Sequence, residues 1–334
     1  MLDKIGEWIL NFYYEVFSFL GMQKTADYVK YQLNDKVALI AGILLVILIV
    51  FNAILITKKI KRWLRERRAN PSERARYKQS LYGRDSGRSL AEFLEVETAA
   101  RNGVSLPGKD RAGDVAEYML CTAAEEHYDR DVCFADSYFK LRSVAKSGVD
   151  STEIDLIIVT TKGLLVFECK DYKGIIRGDI SNEKWVKLKQ SRSGNIIDGE
   201  VRNPLTQNRG HVMAVLNVIK RTMFEGQRVS DADVTRKIPI YSVIALKATA
   251  AGTMISGRLD DNSFIVKLRG QTMSHGDVTV WEIKDFFNQI DSLPPRISEE
   301  EAKNLASGIR NDRLSGKDKE IARKKHNSTL EGRD

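Results

Sequence analysis

Asp155, Glu168 and Lys170 are the residues of this 334-residue chain whose types and spacing carry the most chemistry. They lie in two strongly β-prone runs, 154–160 and 164–169, joined by Thr161-Lys162-Gly163. That linker reads as a tight turn, with glycine where a left-handed residue is often needed. In a hairpin centred between Thr161 and Lys162, Asp155 stands directly opposite Glu168. Alternation along a strand puts Glu168 and Lys170 on one face, although a bulge at Gly163 would shift the register by one. Two carboxylates a few ångströms apart repel unless a cation lies between them or one is protonated. Oxygen ligands without histidine or cysteine suit magnesium or manganese. Such an ion orients a water, lowers its pKa and stabilises charge on a phosphate. Lys170 would steady the attacking water or the phosphoryl oxygens. The same three residues also fit an ordinary strand-end salt bridge, so the bare pattern does not decide between the two readings.

The elements that must position these residues follow from the pattern around them. A helix is expected over 110–126, with Ala116, Met119, Leu120 and Ala123 on one face, and a strand over 131–139. Beyond the hairpin, a short strand is expected at 185–188, a helix from Asn203 to about Glu225, and strands at 238–246 and 264–268. Helices at 279–290 and 298–309 follow, and beyond Asn311 the tail is charged and expected to fray. Helices and strands mixed in this order give an α/β sandwich. Cys121, Cys133 and Cys169 are odd in number and lack CxxC spacing, and the four histidines are scattered. Neither a zinc site nor a disulfide framework is indicated, and the cysteines read as packing residues.

The first hundred residues read differently. Residues 37–56 are twenty in a row with Asn52 the one clearly polar side chain and no charge. As a helix they would be about 30 Å long, the thickness of a bilayer's hydrocarbon core. Residues 57–78 then carry ten basic side chains against Glu66 and Glu73. Basic residues next to a span stay on the cytoplasmic side, so the expectation is a single-pass helix in the cytoplasmic (inner) membrane, N-terminus outside and the remainder in the cytosol. The formal net charge of the chain is +8, all of it supplied by that basic stretch. The remainder is net neutral, so overall charge is no argument for a nucleic-acid groove. An amphipathic segment within 1–36 has glutamates on its polar stripe, which leaves self-association and partner packing open beside membrane contact. The expected organisation is an extracytoplasmic segment 1–36, a span 37–56, a basic linker 57–104, a globular domain 105–295 and a helical tail 296–334.

Read as a whole, the run from Glu153 to Gly174, EIDLIIVTTKGLLVFECKDYKG, resembles the nuclease-related (NERD) domain of the PD-(D/E)XK nuclease superfamily. Trp185 and then Asn203-Pro204-Leu205-Thr206-Gln207-Asn208 match that family's tryptophan and NP..Q helix in order and spacing. The resemblance covers roughly 105–225. It implies a restriction-endonuclease-like mixed sheet flanked by helices, with Asp155 and Glu168 binding Mg²⁺ or Mn²⁺ and Lys170 positioning the water. Gln207 would support the site or touch the phosphate. An acid from the preceding helix is also implied, and either Glu117 or Asp114 fills that place. Asp171 stands where the family often has asparagine. His211, one turn after Gln207, reads as a packing residue before a catalyst. The resemblance implies a metal-dependent nuclease acting on DNA, and membrane tethering would point to defence against foreign DNA. The alternative is a catalytically inactive, membrane-anchored scaffold or nucleic-acid-binding protein. No GxxxxGK[ST] run is present, so energy-driven translocation would need a separate helicase or defence partner.

Overall fold

Seven of the eight residues of the strand Gly163–Lys170 are buried, which is what a near-continuous apolar run becomes when both faces of a sheet are covered. The computed structural model describes residues 35–331 apart from 107–110, 112, 142–149, 173, 191–194, 248–252 and 270–277, with a few positions among the first 34. The amphipathic segment expected at 1–36 therefore lies almost wholly outside the described residues. The chain divides into two compact units, 1–69 and 70–334.

The first unit contains helix α1 (Asp35–Arg68), and here the expected transmembrane span is overturned. Among the described residues, no helix is long and apolar enough to cross a membrane. The uninterrupted described apolar stretch ends at Ile56, and the helix runs on without a break into Lys58, Lys59, Lys61 and Arg62. A span needs about twenty consecutive apolar residues, and several of those between 37 and 49 lie outside the residues whose side chains are described. The single-pass topology, the inner-membrane location and the outward N-terminus fall with it.

In the second unit, helices α2 (Pro71–Gln79), α3 (Leu81–Asp85), α4 (Leu90–Arg101) and α5 (Asp114–Glu125) precede a sheet. Its strands are β1 (Cys133–Lys140), β2 (Ser151–Thr160), β3 (Gly163–Lys170), β7 (Ile240–Leu246), β9 (Ser263–Lys267) and β10 (Val280–Glu282), in the order β1-β2-β3-β7-β9-β10. The first three are antiparallel, and β7, β9 and β10 run parallel to β3. A second sheet is built from β4 (Ile175–Asp179), β5 (Lys184–Gln190) and β6 (Ile196–Arg202), which follow β3, and β8 (Met254–Ser256), which follows β7, ordered β6-β5-β4-β8. Helices α6 (Pro204–Met223) and α7 (Asp231–Lys237) precede β7, and α8 (Ile283–Ser292), α9 (Glu299–Asp312) and α10 (Gly316–Glu331) close the chain. The expected mixed α/β fold with flanking helices is present.

One face of the main sheet buries Ile157, Val159, Leu164 and Val166 against Val215, Leu216 and Ile219 of α6 and Leu305 and Ile309 of α9. On the other face Phe167 meets the rings of Phe286 and Phe287 from α8 edge-on, with centroids 6.3 and 6.2 Å away. Two expectations shift. Residues 280–282 form a strand rather than the start of a helix, because pairing beside β9 satisfies their backbone. The tail does not fray at Asn311: Arg323 and Lys319 of α10 bind Asp136, and the Leu314 amide donates to the Tyr138 carbonyl at 2.7 Å.

Candidate active site

The hairpin has the register its sequence predicts. Thr160 pairs with Gly163, and the ladder continues to Leu156 opposite Phe167. Gly163 adopts φ +138°, and a Cβ there would run into the Pro239 carbonyl oxygen, so glycine is required. One rung beyond the last pair, Asp155 faces Glu168 on the side that Lys170 shares. This is the C-terminal end of β3, where Lys170 pairs with Leu246 of the parallel β7. Crevices at the carboxyl ends of parallel strands are where α/β proteins usually bind ligands.

Glu168 is only 1% exposed. Its Oε1 pairs with the Lys170 ammonium, and its Oε2 lies 3.3 Å from His211 Nδ1. Oε2 has no hydrogen bond of good geometry among the described residues. The half-buried Asp155 accepts the Cys169 amide at 2.5 Å through Oδ2. Burial, then the charges of Glu168 and Glu117, hold the Asp155 carboxyl well above its usual range, while Lys170 pulls it down. For Lys170, burial opposes the charge, but Glu168 and Asp155 outweigh it and the pKa is raised, so the ammonium stays charged. Burial pushes Tyr172, two residues on, up to about 12. The result is a crowded acid pair with one fixed cation.

The two acids of α5 have different surroundings. Asp114 is clamped by Arg88 Nη2 at 2.6 Å and Arg111 Nε at 3.2 Å. Glu117 has no ion pair among the described residues. Burial, with Asp114 and Glu153 next, pushes it up to about 8, and it is close enough to Asp155 to raise that group too. Asp114 is thus an anchor for the arginines, and Glu117 is the α5 acid that joins the cluster.

Gln207 lies in the first turn of α6, half-buried, and its amide reaches the Asn203 carbonyl at 3.3 Å. No side-chain contact from Gln207 to the acids is present among the described residues. The motif around it is architectural. Asn203 caps α6 by accepting the Leu205 amide at 2.9 Å and donates to the carbonyls of Ile180 and Asn182 at 3.0 and 2.7 Å. Asn208 Nδ2 donates to the Val166 carbonyl at 2.9 Å and to Ser242 Oγ at 3.0 Å, tying α6 to β3 and β7. Trp185 packs over Gly178 and donates to the Asp179 carbonyl at 2.9 Å. The residue of α6 that touches the acid pair is His211. Its i, i+4 spacing from Gln207 was the available signal, but nothing local distinguishes a helix histidine facing a carboxylate from one in a core.

Immediately beyond Lys170 the backbone is pinned by a buried polar trio. Lys247 Nζ donates to Asp171 Oδ2 at 3.0 Å and to Ser105 Oγ at 2.5 Å, and the Ser105 hydroxyl donates to Asp171 at 2.6 Å. The Lys247 amide also donates to the Lys170 carbonyl at 3.0 Å. Asp171 at this position therefore has a dedicated charge partner.

A hard divalent cation fits these donors. Glu168 Oε2 is buried without a hydrogen bond, and a cation would relieve the crowding that holds Asp155 towards protonation. Among the described residues no group of three or more His, Cys, Asp or Glu could hold a metal. One or two carboxylates with water completing the shell, the mode magnesium favours, is the arrangement available.

Neither the search of curated proteins nor that of solved structures returns a match. Against family models the outcome is positive, and consistent with the PD-(D/E)XK superfamily: residues 112–247, which span α5, the hairpin, β4 to β6, α6 and β7, match the nuclease-related domain (NERD).

Proposed function

We propose that this nuclease-related domain is a Mg²⁺-dependent phosphodiesterase that hydrolyses DNA. The observation that carries the reading is the meeting of Asp155, Glu168 and Lys170 at the end of β3, with Glu117 beside them. Asp155 and Glu168 would hold the metal, which when bound supplies an acidified water and charge neutralisation at the scissile phosphate. Lys170 keeps its charge because of the acids, and its ammonium steadies the attacking water or a non-bridging phosphoryl oxygen. Glu117, raised to about 8, is suited to take or return a proton near neutral pH. His211 props the buried Glu168 from behind. The defence role rested on a membrane location, and without it nothing in the molecule supports that role.

A second reading, a nucleic-acid-binding domain without cleavage, draws on the absence of a multi-residue metal cluster among the described residues. The deciding assay is cleavage of plasmid and linear DNA by the full chain in Mg²⁺, Mn²⁺ or EDTA, beside Lys170→Met. The expected result is metal-dependent cutting that falls about 100- to 1,000-fold in the variant. Equal cutting by both proteins refutes the assignment of Lys170. DNA binding without cutting in any metal favours the second reading.

A further inference from the structure

Helix α10 lies outside residues 112–247 and is seated almost entirely by charge. Among its described side chains Ala322 is buried, while Ile321 is 53% exposed. Helix α9 before it buries Ala302, Leu305, Ala306 and Ile309. What holds α10 is a set of cations. Lys319 donates to the Asp85 carbonyl at 2.7 Å and pairs with Asp136 at 3.1 Å. Arg323 donates to the Ser86 carbonyl at 2.9 Å and also pairs with Asp136. Both cations lie 5.9 Å from the centre of the Tyr138 ring, and Lys325 pairs with the exposed Asp150 at 3.0 Å. The joint before the helix is Gly316, with φ +52°, where a Cβ would meet nothing within 4 Å. An open glycine of this kind can absorb a change of chain direction.

The carboxylate that receives these cations is out of line. The β1–β2 ladder pairs Ala135 with Leu156 and Ser137 with Ile154, so Asp136 stands across from Asp155, which in turn faces Glu168. Three acids thus fall in one row across three adjacent strands. Asp136 nevertheless drops out of the ladder. Its φ is +44°, the only positive value at a non-glycine residue among the described residues. Such a conformation is sparsely populated and persists only where the surroundings impose it. The charges that meet the Asp136 carboxylate there are Lys319 and Arg323.

We propose that α10 is an autoinhibitory latch on the metal site: Lys319 and Arg323 hold Asp136 away from Asp155 and Glu168, and a divalent cation that competes for Asp136 frees the helix and gains a third carboxylate. This rests on the nuclease reading above. One cation replaces another, so the buried carboxylate keeps a partner throughout. A third acid strengthens a hard-cation site, because affinity rises with the number of charged ligands. The linkage is reciprocal: the metal favours the free helix, and the docked helix opposes the metal.

The test measures both sides of that linkage in the full chain. Amide exchange read by mass spectrometry follows the helix. In EDTA, α10 should exchange ahead of α9, in a step separate from global unfolding. Saturating Mn²⁺ should speed α10 further in the wild type and leave it unchanged in Asp136→Asn. The free-ion EPR signal of Mn²⁺ follows the site. Lys319→Ala/Arg323→Ala should bind Mn²⁺ about tenfold more tightly, and adding Asp136→Asn should return the affinity to the wild-type value. The control Lys317→Ala/Lys324→Ala removes two exposed lysines of the same helix and should change nothing. Exchange of α10 together with α9, or exchange that Mn²⁺ does not move, overturns the latch, and that arm uses the wild type alone. Equal tightening in the control makes the effect one of net charge and overturns it as well. Metal bound with one affinity by every variant overturns the latch and leaves the nuclease reading standing. No Mn²⁺ bound by the wild type or the double variant removes the metal-dependent reading itself.

Discussion

Replacing Lys247 with methionine would leave the Asp171 carboxylate buried with only the Ser105 hydroxyl for company. The two charged side chains are 6% and 4% exposed, 3.0 Å apart. Removing one partner of a buried ion pair costs about 3–5 kcal/mol, because the surviving charge keeps its desolvation penalty and loses its compensation. Removing both charges costs far less, since the neutral pair has no stranded ion. Lys247→Met is therefore expected to lose about 3–5 kcal/mol in urea unfolding, with a melting point lower by on the order of 10 °C. Lys247→Met/Asp171→Asn should recover most of that loss, a coupling of at least about 2 kcal/mol in the four-protein cycle. The Lys247 amide carries the Lys170 carbonyl, so catalysis should report the same pair, with the single variant losing cleavage and the double variant regaining it. A Lys247→Met protein destabilised by less than about 1 kcal/mol, with no coupling, would refute the reasoning. The pair would then be solvated, and the end of β3 would be held by something else.

The two acids of α5 should separate by phenotype. Asp114→Asn weakens the clamp on Arg88 and Arg111 and should cost about 1–3 kcal/mol of stability, whereas Glu117→Gln should spare stability and abolish cleavage; the opposite pattern would exchange their roles. Glu117 also sets a pH dependence. Its folded pKa, about 8, lies above its unfolded value, so its stability contribution is complete at low pH and is lost as pH rises through about 8. In EDTA the urea midpoint should fall across that range, Glu117→Gln should flatten the fall, and a midpoint that rises instead would contradict the assignment.

Much of the site was legible because it is local. A hairpin with a two-residue turn fixes its own register, and a side-chain period of two then decides which residues share a face, so Asp155, Glu168 and Lys170 could be brought together from spacing alone. The cap at Asn203-Pro204 is equally local, as is the helical face of α5. The strands β4 and β6 were not legible, since β6 is exposed along nearly all its length and has no buried alternation to read. The hydropathy of 37–56 pointed to a membrane span, and the described helix corrected it.

The sequence by itself determined the hairpin, its register and the kind of chemistry its acids and lysine can do, because strand alternation and turn geometry act over a few residues. Only the tertiary structure decided that Asp114 is clamped and Glu117 is not, that His211 meets Glu168, and that Lys247 reaches Asp171 and Ser105. Each of these contacts joins segments that are not neighbours in the chain. Such segments meet only when the sheet is assembled, with β7 laid parallel to β3 and α6 packed across both. No local periodicity encodes that pairing, because a side chain's partner across a core is chosen by packing and not by its neighbours in sequence.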